Sequence, residues 1–169
     1  MPRRHVTRVN YARIPGRAAH IGGFAVIGKG ERLRYMTGMD QLTLHYAQDD
    51  APNGTGDLEI AVWAGGFTGR MRSYVAETQM AEFARQLEAY PLPAPRALLV
   101  PGLSIGIGPQ GNLGRLRVSV DLSETRTRDV EQRVALQFIS DYAALDTFKN
   151  ELSRLAREGG GTATLKGYF

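Results

Sequence analysis

The chain has 169 residues, 43% of them apolar and 22% charged, with a net charge of +4 and no cysteine. That is enough chain for one packed domain. The missing cysteines exclude disulfides, thiolate metal sites and cysteine nucleophiles.

The charge is unevenly placed. Residues 1–34 hold eight bases and one acid, net +7, whereas 35–169 hold thirteen bases and sixteen acids, net −3. Residues 1–19 show no clear period and read as a basic arm with a turn at Pro15-Gly16. No apolar stretch of about 7–15 residues follows the arm to make a secretory signal, and no run approaches the roughly 18 residues of a membrane span. The expectation is a cytoplasmic protein, in which the sequon Asn53-Gly54-Thr55 has no meaning. A first, glycine-weakened strand is predicted at 20–29.

From Leu42 onward the pattern is clear. Leu42, Leu44 and Tyr46 alternate with polar residues, as do Leu58, Ile60 and Val62, which predicts two strands each with one buried face. The polar segment 49–56 between them contains the Asn53-Gly54 hairpin signal. After Gly65-Gly66 a third strand puts Met71, Ser73 and Val75 on one face and Arg70, Arg72 and Tyr74 on the other. Met80, Phe83, Ala84 and Leu87 are spaced as one helical face over about 78–90, with Thr78 as N-cap and Pro91 as the stop. Pro91, Pro93 and Pro95 predict an extended connector. Strands follow at Leu103–Ile107 and Leu116–Leu122, around a turn at Pro109-Gln110-Gly111-Asn112. After a polar stretch at 123–130, another strand is predicted at Val134–Phe138. A second helix is predicted over 141–157, capped by Asp141 or Ser140 and stopped by Gly159-Gly160-Gly161. The tail from Thr162 has no assignable structure. The reading is an α+β fold, mainly antiparallel sheet with two helices packed on it, in the order strands, helix, strands, helix. It divides into a basic arm (1–19), a single domain (20–158) and a glycine-rich tail (159–169). The two halves share a strands-then-helix plan without matching residues.

The catalytic motifs fail on context. Gly102-Leu103-Ser104-Ile105-Gly106 matches a nucleophile elbow, but no helix follows the serine, and the histidines His5, His20 and His45 all lie upstream. Gly106-Ile107-Gly108-Pro109-Gln110-Gly111 matches a dinucleotide fingerprint, but no helix opens to receive a pyrophosphate. The histidines form no pair at metal-binding spacing. The acidic turn at 49–57 has Ala51 and Ile60 where a calcium loop needs oxygen ligands. Glu59, Asp121 and Glu131 sit on predicted strands, where convergence for acid–base work is open and a solvated face is the ordinary reading. No catalytic residue, metal or cofactor is expected.

Binding features are better represented. Trp63 lies by parity on the face opposite Leu58, Ile60 and Val62, beside Glu59, Arg72 and Tyr74. Aromatics and arginines are enriched at interface hot spots. Asp49, Asp50 and Asp57 add negative charge nearby. The basic arm offers Arg3, Arg4, Arg8, Arg13 and Arg17 for phosphate contact and Tyr11 for stacking.

The run LRYMTGMDQLTLHYAQDDAPNGTGDLEIAVWAGGFTGRMRSYVAETQMAEFARQLEAY, with its Gly66-Phe67-Thr68-Gly69 turn, is followed later by GNLGRLRVSVDL and QFISDYAALDTFKNELSRL. Together these resemble the WapI-type immunity proteins of bacterial polymorphic toxin systems, over about residues 33–156 and at the level of layout. The resemblance implies a non-enzymatic protein that neutralises a cognate toxin domain in the cytoplasm by direct binding. An acidic body suits a basic toxin. Two other expectations stand beside it. One is a nucleic-acid-associated accessory protein using the arm, and the other is an assembly subunit whose arm and tail become ordered on neighbours.

Overall fold

The computed structural model describes residues 39–49, 54–111, 113–127 and 130–168. The strand predicted at 20–29 lies outside them. Eight strands and two helices follow in the order β1 (Gln41–Gln48), β2 (Thr55–Ala64), β3 (Phe67–Ala76), α1 (Glu77–Gln86), β4 (Arg96–Val100), β5 (Leu103–Gln110), β6 (Arg115–Thr127), β7 (Val130–Asp141), α2 (Tyr142–Glu158) and β8 (Gly160–Lys166). The fold is α+β. Its strands form two antiparallel four-stranded sheets, ordered β3-β2-β1-β8 and β4-β5-β6-β7.

The alternation explains the first sheet. Leu42, Leu44 and Tyr46 of β1, and Leu58, Ile60 and Val62 of β2, are at most 2% exposed. Each such side chain contributes roughly 1.5–3 kcal/mol on burial. Ile105, Ile107, Leu116, Val118 and Val120 do the same in the second sheet. Met80 and Phe83 of α1 and Leu145, Phe148, Leu152 and Leu155 of α2 complete one continuous core. The sheets meet closely at Gly69. A Cβ there would lie 3.0 Å from both Leu122 Cδ1 and Val134 Cγ1, so only glycine lets β3 approach β6 and β7 this closely.

Several local expectations need correction. Helix α1 begins at Glu77, which puts Thr78 in its first turn and Ala76 at the N-cap. Gln79 Oε1 accepts the Ala76 N–H at 3.0 Å instead. The helix ends at Gln86, because Leu87 and Glu88 donate to Ala84 and Arg85 in a tighter turn. The Pro-rich connector leads into β4, which pattern reading misses because Ala97 and Leu99 make its outer face as apolar as its inner one. Most of the polar segment 123–130 is strand, β6 running to Thr127 and β7 starting at Val130, with a register shift between Thr125 and Thr127. Asp141 does cap α2, its Oδ1 accepting the Ala144 N–H at 2.8 Å.

The largest correction is β8. Gly159, at φ 71°, ends α2 in the left-handed region as a C-terminal glycine should. The chain then reverses and pairs with β1, Gln41 facing Lys166 and Leu44 facing Ala163. Ala163 and Leu165 join the core, while Thr162 and Thr164 face out. The tail expected to lack structure is thus the fourth strand of the first sheet.

Two buried serines tie the sheet corners. Ser140 Oγ, at the end of β7, donates to the Lys166 carbonyl of β8 at 2.7 Å. Ser73 Oγ, near the end of β3, donates to the Pro101 carbonyl just after β4 at 3.3 Å. Ser140→Ala leaves that carbonyl without its donor and is expected to cost about 1–3 kcal/mol in urea unfolding. Ser73→Ala is expected to cost less, since its bond is longer.

Candidate functional site

The helices and core cover one face of the first sheet, and among the described residues no element covers its other face. Register assigns that outer face in rows. Lys166, Gln41, Trp63 and Thr68 make one row; Thr164, Thr43, Ala61 and Arg70 make the next; Thr162, His45, Glu59 and Arg72 the third; Ala47, Asp57 and Tyr74 the last. Four residues proposed from sequence parity, Glu59, Trp63, Arg72 and Tyr74, therefore do share a face, and Asp57 joins them opposite Tyr74. Asp49 does not. It sits beyond the end of β1, where its N–H donates to the Thr55 carbonyl at 3.0 Å. Asp50, Arg3, Arg4, Arg8, Tyr11, Arg13 and Arg17 lie outside the described residues.

Arg72 is paired with Glu59 across the strands. This bond, and then the guanidinium charge, holds the Glu59 carboxyl below its ordinary pKa, with His45 and Arg70 adding smaller attractions and desolvation opposing. Both side chains are largely exposed, so the pair orders the face more than it stabilises the fold. Arg70 lies 5.8 Å from the Trp63 ring centre, in cation–π contact. His45 Nδ1 and the Thr162 hydroxyl are 3.0 Å apart. Tyr74 is 63% exposed.

A shallow groove of about 520 Å³ runs across the middle of this face, lined by Thr43, His45, Glu59, Arg70 and Arg72, with Glu124 of β6 also contributing. Sequence reading puts Arg70 on the right face but does not single it out, and it passes over Thr43 and His45. Their signal is parity within β1, yet the neighbours that make them a site come from β2, β3 and β8.

The three strand carboxylates do not converge. Glu59 belongs to the first sheet and Asp121 to the second, where Arg133 Nε donates to Asp121 Oδ1 at 2.9 Å and holds that carboxyl low as well. Glu131 stands opposite Thr125, four residues before Asp121's partner Ala135. Acid–base catalysis by two carboxylates needs environments that push their pKa values apart; here both are pushed down. The glycine motifs have structural reasons. Gly102 turns β4 into β5 at φ 75°. A Cβ on Gly106 would meet Ser119 Oγ at 2.6 Å, and one on Gly108 would meet the Pro95 ring at 2.9 Å. Among the described residues, no three His, Asp or Glu side chains group to hold a metal ion, and no helix is long and apolar enough to cross a membrane.

No protein-family model matches the chain, and no curated protein matches it.

Because the Glu59 pKa is lowered in the fold, its pairing favours the folded state above the ordinary glutamate range. That contribution is lost as pH falls through the depressed folded value. In a carboxyl-carbon NMR titration, Glu59 is expected to titrate below the usual glutamate range, and to return toward it in Arg72→Gln. An unchanged midpoint in that variant would show that the pair does not form in solution.

Proposed function

We propose that this chain is a non-enzymatic protein-binding module whose partner docks on the outer face of β3-β2-β1-β8. The observation that carries the reading is the row structure of that face, which no described element covers. It brings Trp63, Arg70, Arg72 and Tyr74 together on rigid, paired strands, the residue types in which interface energy concentrates. Sites built on paired strands hold their side chains in place before contact, which lowers the ordering cost of binding. The cross-strand pair of Arg72 and Glu59 offers a partner both signs of charge at one point, which suits selective recognition more than raw affinity.

The resemblance to WapI-type immunity proteins makes a toxin domain the partner and occlusion the mechanism. No chemistry is then asked of the chain. It works by covering a surface that the toxin needs. The excess of acids over bases across 35–169 agrees with a basic partner, since complementary charge speeds encounter.

The test begins with capture of partners by tagged full-length protein from its native host. For a captured protein, the double variant Trp63→Ala/Tyr74→Ala is expected to weaken binding by about thirtyfold or more, as loss of hot-spot side chains does. Arg154→Ala on the exposed side of α2 is expected to leave it unchanged. The captured protein is also expected to arrest growth when expressed alone, with rescue by the wild-type chain and not by the double variant. Unchanged affinity in the double variant would remove this face from the interface. A harmless partner would remove the toxin reading.

A further inference from the structure

A strand at the edge of a sheet leaves the N–H and C=O groups of every second residue without a ladder partner. The two sheets have four such edges, β3, β8, β4 and β7. In β8 the Thr164 N–H donates to Glu151 Oε2 of α2 at 2.7 Å. Strand β4 is five residues long and lies between Pro95 and Pro101. Strand β3 is held against the second sheet at Gly69 and Ser73. Strand β7 differs from these. It is twelve residues long, it contains no proline, and no described strand pairs with its outer edge.

One bond fixes the direction of its backbone groups. Tyr168 N–H donates to the Ile139 carbonyl at 2.9 Å, so Ile139 turns its backbone groups away from β6 and onto the free edge. That direction alternates along a strand, and β6 and β7 keep one register from Glu131 to Asp141. Glu131, Arg133, Ala135 and Gln137 therefore present their N–H and C=O groups on the same edge. Their side chains lie on the exposed outer face of the second sheet. Arg133 is the long charged one at the centre, and it leans over β6 to pair with Asp121, which leaves the edge clear. Val134 and Leu136 point toward the core and are only partly buried. The edge thus joins a backbone template to an apolar strip on its inner side.

We propose that the free edge of β7, from Glu131 to Gln137, is a strand-acceptor site for an extended segment of a partner protein. That segment carries apolar side chains at alternate positions, set against Val134 and Leu136, with polar ones between them on the outer side. Two observations name this occupant. Only an extended backbone offers donors and acceptors at the spacing of a strand edge, which excludes a helix. The chain also uses the edge in this way at one end, where Tyr168 meets Ile139, and the incoming segment continues that line. A second copy of the chain fits less well. The two-fold pairing that uses all four free-edge residues sets Glu131 opposite Gln137, and so places apolar Leu136 opposite polar, exposed Gln132 of the other copy. The site is separate from the face of the first sheet and does not depend on the reading given to that face.

The experiment uses the full-length chain and a labelled peptide alternating valine and threonine between terminal lysines, about nine residues long so that it spans the edge at roughly 3.3 Å per residue. In the unbound chain, amide hydrogen exchange is expected to be fast at Arg133, Ala135 and Gln137 and slow at Val134, Leu136 and Phe138. Saturating peptide is expected to slow the first three by about tenfold or more. Ala135→Pro deletes one free-edge N–H, a change that an edge strand tolerates. It is expected to weaken peptide binding, read by fluorescence anisotropy, by about tenfold or more. Leu136→Thr keeps every backbone donor and removes part of the apolar strip, and is expected to weaken binding by a smaller factor. Arg154→Ala on α2 is expected to bind as wild type. Slow exchange at the three free-edge amides without peptide would show the edge already covered and overturn the proposal. No protection by the peptide, or unchanged binding in both β7 variants, would do the same. Protection that grows with protein concentration alone would assign the edge to a second copy instead.

Discussion

Two serine hydroxyls buried at the sheet corners set the relation between the two halves of this protein. A sheet edge that ends inside a core leaves a carbonyl that must find a donor. Ser140 supplies it to Lys166 and Ser73 supplies it to Pro101, and these are the buried polar side chains among the described residues. With the corners tied, each sheet turns one face inward toward the shared core. The groove on the other face of the first sheet follows from that arrangement.

The two serines occupy corresponding places, and so does much else. Read along its hydrogen-bonded order, the first sheet runs β8-β1-β2-β3 and leads into α1; the second runs β4-β5-β6-β7 and leads into α2. Each is an antiparallel meander of four strands followed by a helix. Each helix also packs toward the first strand of the other unit, α1 toward β4 and α2 against β8. The units are interlocked, and the second buries what the first cannot bury by itself. Gly69 belongs to the same logic. It is the point where a strand of one unit lies directly on the other, with Leu122 and Val134 filling the space of an absent side chain.

What the sequence reveals follows the range of each interaction. Strands β1 to β3 are legible because Leu42 to Tyr46, Leu58 to Val62 and Met71 to Val75 alternate cleanly and their turns are local. The Asp141 cap is legible because it acts three residues away. The shared face of Glu59, Trp63, Arg72 and Tyr74 needs only parity within adjacent hairpin strands. By contrast, β8 pairs with β1 across about 120 residues of chain, and nothing near Thr162 announces that partner. The glycines at 159–161 do stop a helix, as read; the Thr162–Leu165 alternation after them is too short to stand alone. Arg96–Val100 hides for another reason: at the edge of its sheet it is apolar on both faces, so the period of two vanishes. His45 and Thr43 escape notice because their significance depends on Thr162 and Arg70, one from the hidden strand.

The meeting of β1 and β8 also bears on how the chain folds. Of the strand pairings, it is the one that spans nearly the whole described chain, and contacts of such separation slow folding because the intervening loop must close first. Yet Asp40 and Gly167 are hydrogen-bonded neighbours. A chain closed across that point and opened in the connector between α1 and β4 would encode each meander with its helix as one contiguous stretch. The slowest pairing would become a local hairpin, and the same native contacts would be reached along a shorter search.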